Sequence, residues 1–430
     1  MEKGRRLPRN HVASNKGITE KRSVVPNQKS FSFVSAVFCA AFIVYIIQYE
    51  QPDIHSVRRI LSDEAADLFS SSDEEPFPTS PTNSCSPRRN IVFLKTHKCA
   101  SSSVQNIFNR YGYRRKLNFV LPPRGGSYIG HPEPFNWSMV PDATKFGIRY
   151  NILTHHCRLN YDEMRRKMSA DVVFVTIVRS PVELFESLFS FYSLQMFYRE
   201  RFDTLGKHAK PAGAYAARMG GKIGFNQMLF DLGMDEKGFE NASLVHDYVL
   251  FLDSVFDLVM VRERMDESLV LLKDLLCWDT DDVVVFQLNA RNKRYKRKLS
   301  PDLLQRLEKF NSADILLYRH FVRRLNARIA EFGHERMAEA VEELRNRTRM
   351  WYDVCVQKQD FQSKIINSKR YFTNKMVMAY VKKNQLNATC DDLTTSEPIF
   401  TEKLVDRQRY MFPKPKPYRS RYRYKMKRWH

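Results

Sequence analysis

A chain of 430 residues with 43% hydrophobic and 13% aromatic content can build a real core, which excludes a wholly disordered protein. The net charge of +22 calls for an anionic partner, and nucleic acid, acidic lipid headgroups or a phosphate-bearing cosubstrate would each answer it. Seven cysteines without a C-x-x-C pair argue against a structural zinc site, and no metal-ligand spacing is apparent, so no metal is expected.

Residues 1–30 form a basic tail with eight Lys/Arg against two Glu. Residues 31–49, Phe31 to Tyr49, hold no charge and are bounded by Lys29 and Glu50. As a helix they would span about 28 Å, close to the hydrocarbon thickness of a bilayer. Basic residues before this span and acidic ones after it predict a single-pass anchor with the N-terminus in the cytosol and the rest in the lumen. A cleaved signal peptide fits less well, because thirty residues is a long leader and no small-x-small site follows. Residues 50–89, rich in Ser, Pro and acid, read as a flexible stem. One or two disulfides are then expected in the lumenal part. Four sequons, at Asn136, Asn241, Asn346 and Asn387, all fall on the predicted lumenal side.

From residue 90 the texture becomes that of a folded domain, taken as 90–400. Ile91-Val-Phe-Leu reads as a buried strand, followed by a polar loop and a helix with Val104, Ile107, Phe108 and Tyr111 on one face, stopped at Gly112. A short apolar stretch at Tyr150-Asn-Ile-Leu reads as a strand end. Asp171 to Val178 reads as a strand, and Ser180-Pro181-Val-Glu183 as a capping box opening an aromatic-rich helix. A third pair is a strand at Phe256–Val261 and a helix over 266–276. Such repetition predicts an α/β fold, a central parallel sheet flanked by helices. After Ser300 the pattern is mostly helical. The last segment, 401–430, is a basic tail whose end carries eight Lys/Arg and no acid over 413–430, read as solvated.

The loop after the first strand is Lys95-Thr96-His97-Lys98-Cys99-Ala100-Ser101-Ser102-Ser103. A loop between a buried strand and a helix start is where α/β folds bind phosphates. The Walker A glycines are absent, so a nucleotide triphosphatase is disfavoured. Arg179 at the end of the next strand and Ser187 eight residues later, on one face of the following helix, would suit a second phosphate. A nucleotide with separate 5′ and 3′ phosphates needs such a pair of sites. Histidine is the natural general base near neutral pH, and His97 and the His155-His156 pair are the candidates.

The Lys/Ser loop with the later Arg179-x7-Ser187 resembles the sulfotransferases that use 3′-phosphoadenosine 5′-phosphosulfate. Phe93-Leu-Lys-Thr-His-Lys98 with Arg179-Ser-Pro-Val-Glu-Leu-Phe-Glu-Ser187 is similar to the galactose 3-O-sulfotransferases, which include the galactosylceramide enzymes. Thr154-His-His-Cys-Arg-Leu-Asn160, Leu299-Ser-Pro-Asp302 and Asn311-Ser-Ala-Asp-Ile-Leu-Leu-Tyr318 support the same family, over about residues 90–330. The resemblance implies a P-loop-like sulfotransferase fold in a Golgi membrane enzyme. Its donor would be 3′-phosphoadenosine 5′-phosphosulfate and its acceptor a terminal galactose on a glycolipid or glycoprotein. Lys98 would stabilise the leaving 5′-phosphate, held by the loop from Lys95 to Ser103, while Arg179 and Ser187 would hold the 3′-phosphate. Cys99 stands where a Thr is expected and Ser180 where an acid is usual.

Arg291-Asn-Lys-Arg-Tyr-Lys-Arg-Lys298 either closes over the nucleotide or is a solvated loop. Gly130-His-Pro-Glu-Pro-Phe-Asn-Trp137 reads as core packing or glycan shielding near Asn136 before an aromatic face for a sugar, and Tyr192 and Phe197 read as core before acceptor contacts. Sulfation of heparan or chondroitin is the rival activity. A nucleic-acid-binding protein is the rival class, disfavoured by the anchor and sequons, so no nucleic acid is expected. A catalytically dead glycan-binding homologue is disfavoured by intact Lys98, Arg179 and Ser187. A homodimer is carried as a candidate assembly.

Overall fold

The computed structural model describes residues 85–409, apart from 124, 199–200, 206–214, 219–220, 368–369, 372 and 384–385. The expected anchor at 31–49 and nearly all of the stem lie outside the described residues, as does 410–430. No helix among the described residues is long and apolar enough to cross a membrane.

Among the described residues nine strands appear: β1 (Ile91–Leu94), β2 (Phe119–Val120), β3 (Ile152–Leu153), β4 (Val173–Val178), β5 (Tyr215–Arg218), β6 (Gly221–Gly224), β7 (Leu258–Val261), β8 (Val356–Phe361) and β9 (Met378–Lys382). Five of them make a parallel sheet in the order β2-β3-β1-β4-β7. β1, β3, β4 and β7 are buried along their whole length, as the unbroken apolar runs of a sheet covered on both faces require. β5 pairs with β6, and β8 with β9, as antiparallel hairpins.

The longer helices are α1 (Ser101–Arg114), α2 (Tyr161–Lys167), α3 (Pro181–Phe191), α4 (Gln227–Asp231), α5 (Ala242–Val255), α6 (Met265–Leu276), α7 (Pro301–Phe310), α8 (Ser312–Phe332), α9 (His334–Cys355), α10 (Ala388–Thr394) and α11 (Glu397–Gln408). α1 does not stop at Gly112 but runs to Arg114. The glycine is there for contact: a Cβ at Gly112 would meet the Phe119 ring at 2.5 Å and Ile152 Cδ1 at 2.6 Å. Its missing side chain lets α1 lie against β2 and β3.

Pro181 opens α3 as expected, yet Ser180 forms no side-chain cap. The capping box fails because Glu183 turns outward to Arg179 and Arg262.

Both expected domain edges move. Cys85 is disulfide-bonded to Cys277, and Arg88 exchanges hydrogen bonds with Leu276 and Trp278, so the folded region begins before residue 90. At the other end α11 crosses the expected boundary at 400, with Phe400 and Leu404 buried. The Gln408 amide then bonds both the N–H and the C=O of Phe119, satisfying edge strand β2 as a neighbouring strand would. A second disulfide joins Cys355 to Cys390, while Cys99 and Cys157 are free and buried.

Candidate active site

β1 delivers the chain into the loop at its carboxyl end, and α1 starts at Ser101. Lys98 and Ala100 both take left-handed backbone, with φ of 56° and 64°. Such conformations cost roughly 1–3 kcal/mol each without glycine, so the surroundings must enforce them. They do. The His97 N–H donates to Asp231 at 2.7 Å, the Thr96 hydroxyl to Ile177 O at 2.6 Å, and Arg179 Nη1 to Lys98 O at 2.9 Å. No side chain among the described residues caps α1. Its first N–H groups and the positive end of its dipole are therefore left for an anion.

His97, Lys98, Ala100, Ser101, Ser102, Ser103, His156, Arg179 and Ser187 converge on one cleft of about 1630 Å³. Lys95, Thr96, Cys99 and His155 do not line it. The Lys95 ammonium is buried in an ion pair with Glu397 of α11. Thr96 and Cys99 spend their polar atoms on the backbone of Ile177 and His97, and burial pushes the Cys99 thiol far up. His155 turns away to the Thr401 hydroxyl at 3.0 Å. It belongs to the packing under α11, so of the histidine pair only His156 faces the cleft. Two adjacent residues entering a parallel strand end cannot both point to one side.

The three serines are closer to the loop than to a ligand. Ser101 donates to Thr96 O at 2.6 Å, Ser102 to Glu397 at 2.9 Å, and Ser103 trades hydrogen bonds with the Leu288 backbone. A hydroxyl has one proton to give, and these are given. The loop thus presents backbone N–H groups and Lys98, rather than serine hydroxyls, to the cleft.

Lys98 Nζ lies 3.6 Å from the Phe191 ring centroid. Burial, with Arg179 and Arg291 nearby, lowers its pKa to about 7. Arg179 pairs with Glu183, and Arg291 with Glu186, but Arg179 Nε and Arg291 Nη1 are buried without a hydrogen-bond partner among the described residues. Orphaned guanidinium donors on a cleft wall call for an anionic ligand. Arg291, Lys293 and Lys296 of the basic run line the cleft, Arg291 half-buried and the two lysines exposed to solvent. Arg297 instead covers the Phe189 and Phe202 rings.

His97 and His156 stack with centroids 4.3 Å apart. His97 Nδ1 is 2.9 Å from both oxygens of Asp231, which fixes the N–H on Nδ1 and leaves Nε2 to accept. His156 Nδ1 faces the Lys95 carbonyl at 2.9 Å, so it too is the protonated nitrogen. Burial lowers the pKa of both rings, that of His156 well below the ordinary value. Burial works against ionisation of Asp231, but His97 and His131 outweigh it and hold the carboxyl well below the usual range. Gln227, one turn earlier on α4, adds a bond at 2.8 Å. His97, His131 and Asp231 come within 4.8 Å of one another, a spacing a cation would tolerate, although the carboxylate is already met by N–H donors.

Asp231, 134 residues from His97, was invisible to motif reasoning, since nothing in Gln227-Met-Leu-Phe-Asp231 distinguishes it from an ordinary amphipathic turn. Glu397 was missed for the same reason. Tyr192 packs against the core as expected and also lines the cleft beside Tyr128; the Phe197 side chain lies outside the described set. Phe135 and Trp137 are core as expected, with Trp137 stacked on Tyr150. Among the sequons Asn136, Asn241 and Asn346 are exposed and Asn387 half-buried at the start of α10.

Residues 20–395 match the family model for galactose-3-O-sulfotransferase. Human galactosylceramide sulfotransferase is 35% identical over 325 residues, covering 74% of this chain and 76% of the relative. The bovine enzyme of that name gives the same figures, and human galactose-3-O-sulfotransferase 4 is 32% identical over 411 residues, covering 76% and 84%.

Proposed function

The chain belongs to the galactose-3-O-sulfotransferase family, and from that premise we propose that it transfers a sulfuryl group from 3′-phosphoadenosine 5′-phosphosulfate to the 3-hydroxyl of a terminal galactose. It is a carbohydrate sulfotransferase acting on galactose. The donor, the position sulfated and the carrier of the galactose are the steps beyond that.

The observation carrying the reading is the uncapped start of α1, set between Lys98 and Arg179 on one cleft with the His97–Asp231 pair. The α1 amides and Lys98 fit the 5′-phosphate, whose charge grows as the sulfuryl group leaves. Orphaned Arg179 Nε, with Ser187 and Arg291 on the same wall, fits the 3′-phosphate. The donor, when bound, supplies the activated sulfuryl group. His97 Nε2 takes the proton of the acceptor hydroxyl, and Asp231 steadies the imidazolium that results. His156, stacked on His97 and lacking a carboxylate, keeps that ring in plane.

A lumenal, Golgi-membrane setting agrees with two disulfides, three exposed sequons and the uncharged span at 31–49. The names of these relatives favour galactosylceramide as the first acceptor to try. Radiolabelled sulfate transfer to galactosylceramide, lactosylceramide, N-acetyllactosamine and heparan tests the reading. Transfer to at least one galactose-terminated acceptor is expected, and transfer to heparan alone overturns it.

A further inference from the structure

We propose that the Tyr128–Tyr192 hydroxyl pair is the acceptor-sugar subsite, holding the hydroxyl adjacent to the one that is sulfated and so selecting a vicinal diol. This rests on the reading of His97 as the base toward a galactose hydroxyl.

Tyr128 sits on the loop between β2 and β3, just after Gly125 and Gly126, whose φ values are 72° and 91°. A Cβ at either glycine would meet no described atom within 4 Å, so this part of the loop borders open space. Tyr128 itself is fixed. The chain on either side of it bonds to the His156 backbone, Ile129 N to His156 O at 2.8 Å and His156 N to Ser127 O at 3.0 Å. Its ring lies over His156 at 5.1 Å and over His97 at 5.9 Å, nearly parallel to both. Tyr192 arrives from the other wall, at the C-terminal end of α3.

The two hydroxyls are 3.2 Å apart, and the Tyr128 oxygen is 3.4 Å from His97 Nε2. Those are their hydrogen-bond partners among the described residues. Among the described residues neither hydroxyl bonds a backbone group, so the rings pack while the two hydroxyls hold no element of secondary structure. Burial raises both phenols, Tyr128 to about 12, so they remain neutral donors at working pH.

An acceptor hydroxyl must come within about 3 Å of Nε2 to lose its proton. Because the Tyr128 oxygen already stands 3.4 Å from that nitrogen, the sugar must displace or share the Tyr128 bond. The released phenol then meets the sugar one carbon over, where a pyranose carries its next hydroxyl. Tyr192 completes the pocket by donating to Tyr128 or to the same sugar oxygen. Both tyrosine rings also bring apolar faces to the sugar's C–H surface.

The test pairs enzyme and acceptor variants. Wild type, Tyr128→Phe and Tyr192→Phe are assayed for sulfate transfer to a simple β-galactoside and to its 2-deoxy and 4-deoxy analogues. With wild type, one of the two analogues should lose about tenfold or more in kcat/KM. With Tyr128→Phe the parent galactoside should fall by a similar factor, and the same analogue should lose little further. Binding of 3′-phosphoadenosine 5′-phosphate, by calorimetry, should be unchanged and certifies the fold. Full sensitivity to both deoxygenations in Tyr128→Phe and Tyr192→Phe alike overturns the proposal, as does a wild type indifferent to both. Wild type that sulfates no galactoside at all would instead overturn the function on which the proposal rests.

Discussion

Lys98 carries two burdens at once. Its backbone turns the loop through a left-handed residue, and its ammonium faces the cleft. Lys98→Ala should lower kcat by about 10³-fold or more while the thermal midpoint stays near that of wild type. Its pKa of about 7 adds a pH signature. Burial depresses this lysine below its unfolded value, so the free site holds its charge below pH 7 and loses it above. A phosphate bound beside it favours the charged form. Affinity for 3′-phosphoadenosine 5′-phosphate should therefore weaken as pH rises past 7, with proton uptake on binding at pH 8, measured by calorimetry in buffers of different ionisation enthalpy. Asp231 reaches the reacting centre through His97, to which it gives both tautomer and orientation. Asp231→Asn should cut kcat by about 10³-fold or more with nucleotide affinity retained, and a variant with wild-type turnover would remove His97 from the base role.

Asp231 is only as well placed as α4, a helix of five residues. A helix so short has little stability of its own. It is held by a reciprocal cap with α8. Asp314 accepts the N–H groups of Met228 and Leu229 at 3.0 and 2.9 Å, while Asn226 accepts the Asp314 N–H at 3.0 Å and donates its own to Asn311 at 3.0 Å. Thus Asn311-Ser-Ala-Asp314, noticed in the sequence only as part of a resemblance, fixes the helix that carries the carboxylate behind His97. Burial raises the Asp314 pKa to about 7 against these bonds. Asp314→Asn removes an acceptor from two buried amides and should destabilise the fold by about 1–3 kcal/mol in urea titration. Its kcat should fall more than its nucleotide affinity, because α1 and Arg179 are untouched.

On the scale of the molecule, chain ends that look peripheral reach the centre. Glu397 of α11 neutralises Lys95 at the root of the loop and accepts from Ser102. Burial pushes the Glu397 carboxyl up, but the Lys95 ammonium holds it below its ordinary value. Glu397→Ala strands a buried ammonium and should cost about 3–5 kcal/mol. The two disulfides tie the same distant segments: one spans 192 residues from Cys85, the other 35 from Cys355. Replacing Cys355 and Cys390 together with serine should lower stability by about 4 kcal/mol, read from the urea midpoint.

By itself the sequence determined what depends on neighbours along the chain. Buried parallel strands show as unbroken apolar runs, which is why β1, β4 and β7 were legible to within two residues. A strand followed by a loop and a helix start pointed to Lys98 and Arg179, and both do line one cleft. Only the tertiary structure decided which histidine of the pair faces the cleft, because that depends on which side of a strand end each side chain leaves. It alone brought Asp231, Tyr128 and Glu397 to the loop. Their partners lie tens to hundreds of residues away, and such pairings come from helix packing, which leaves no period or spacing to read.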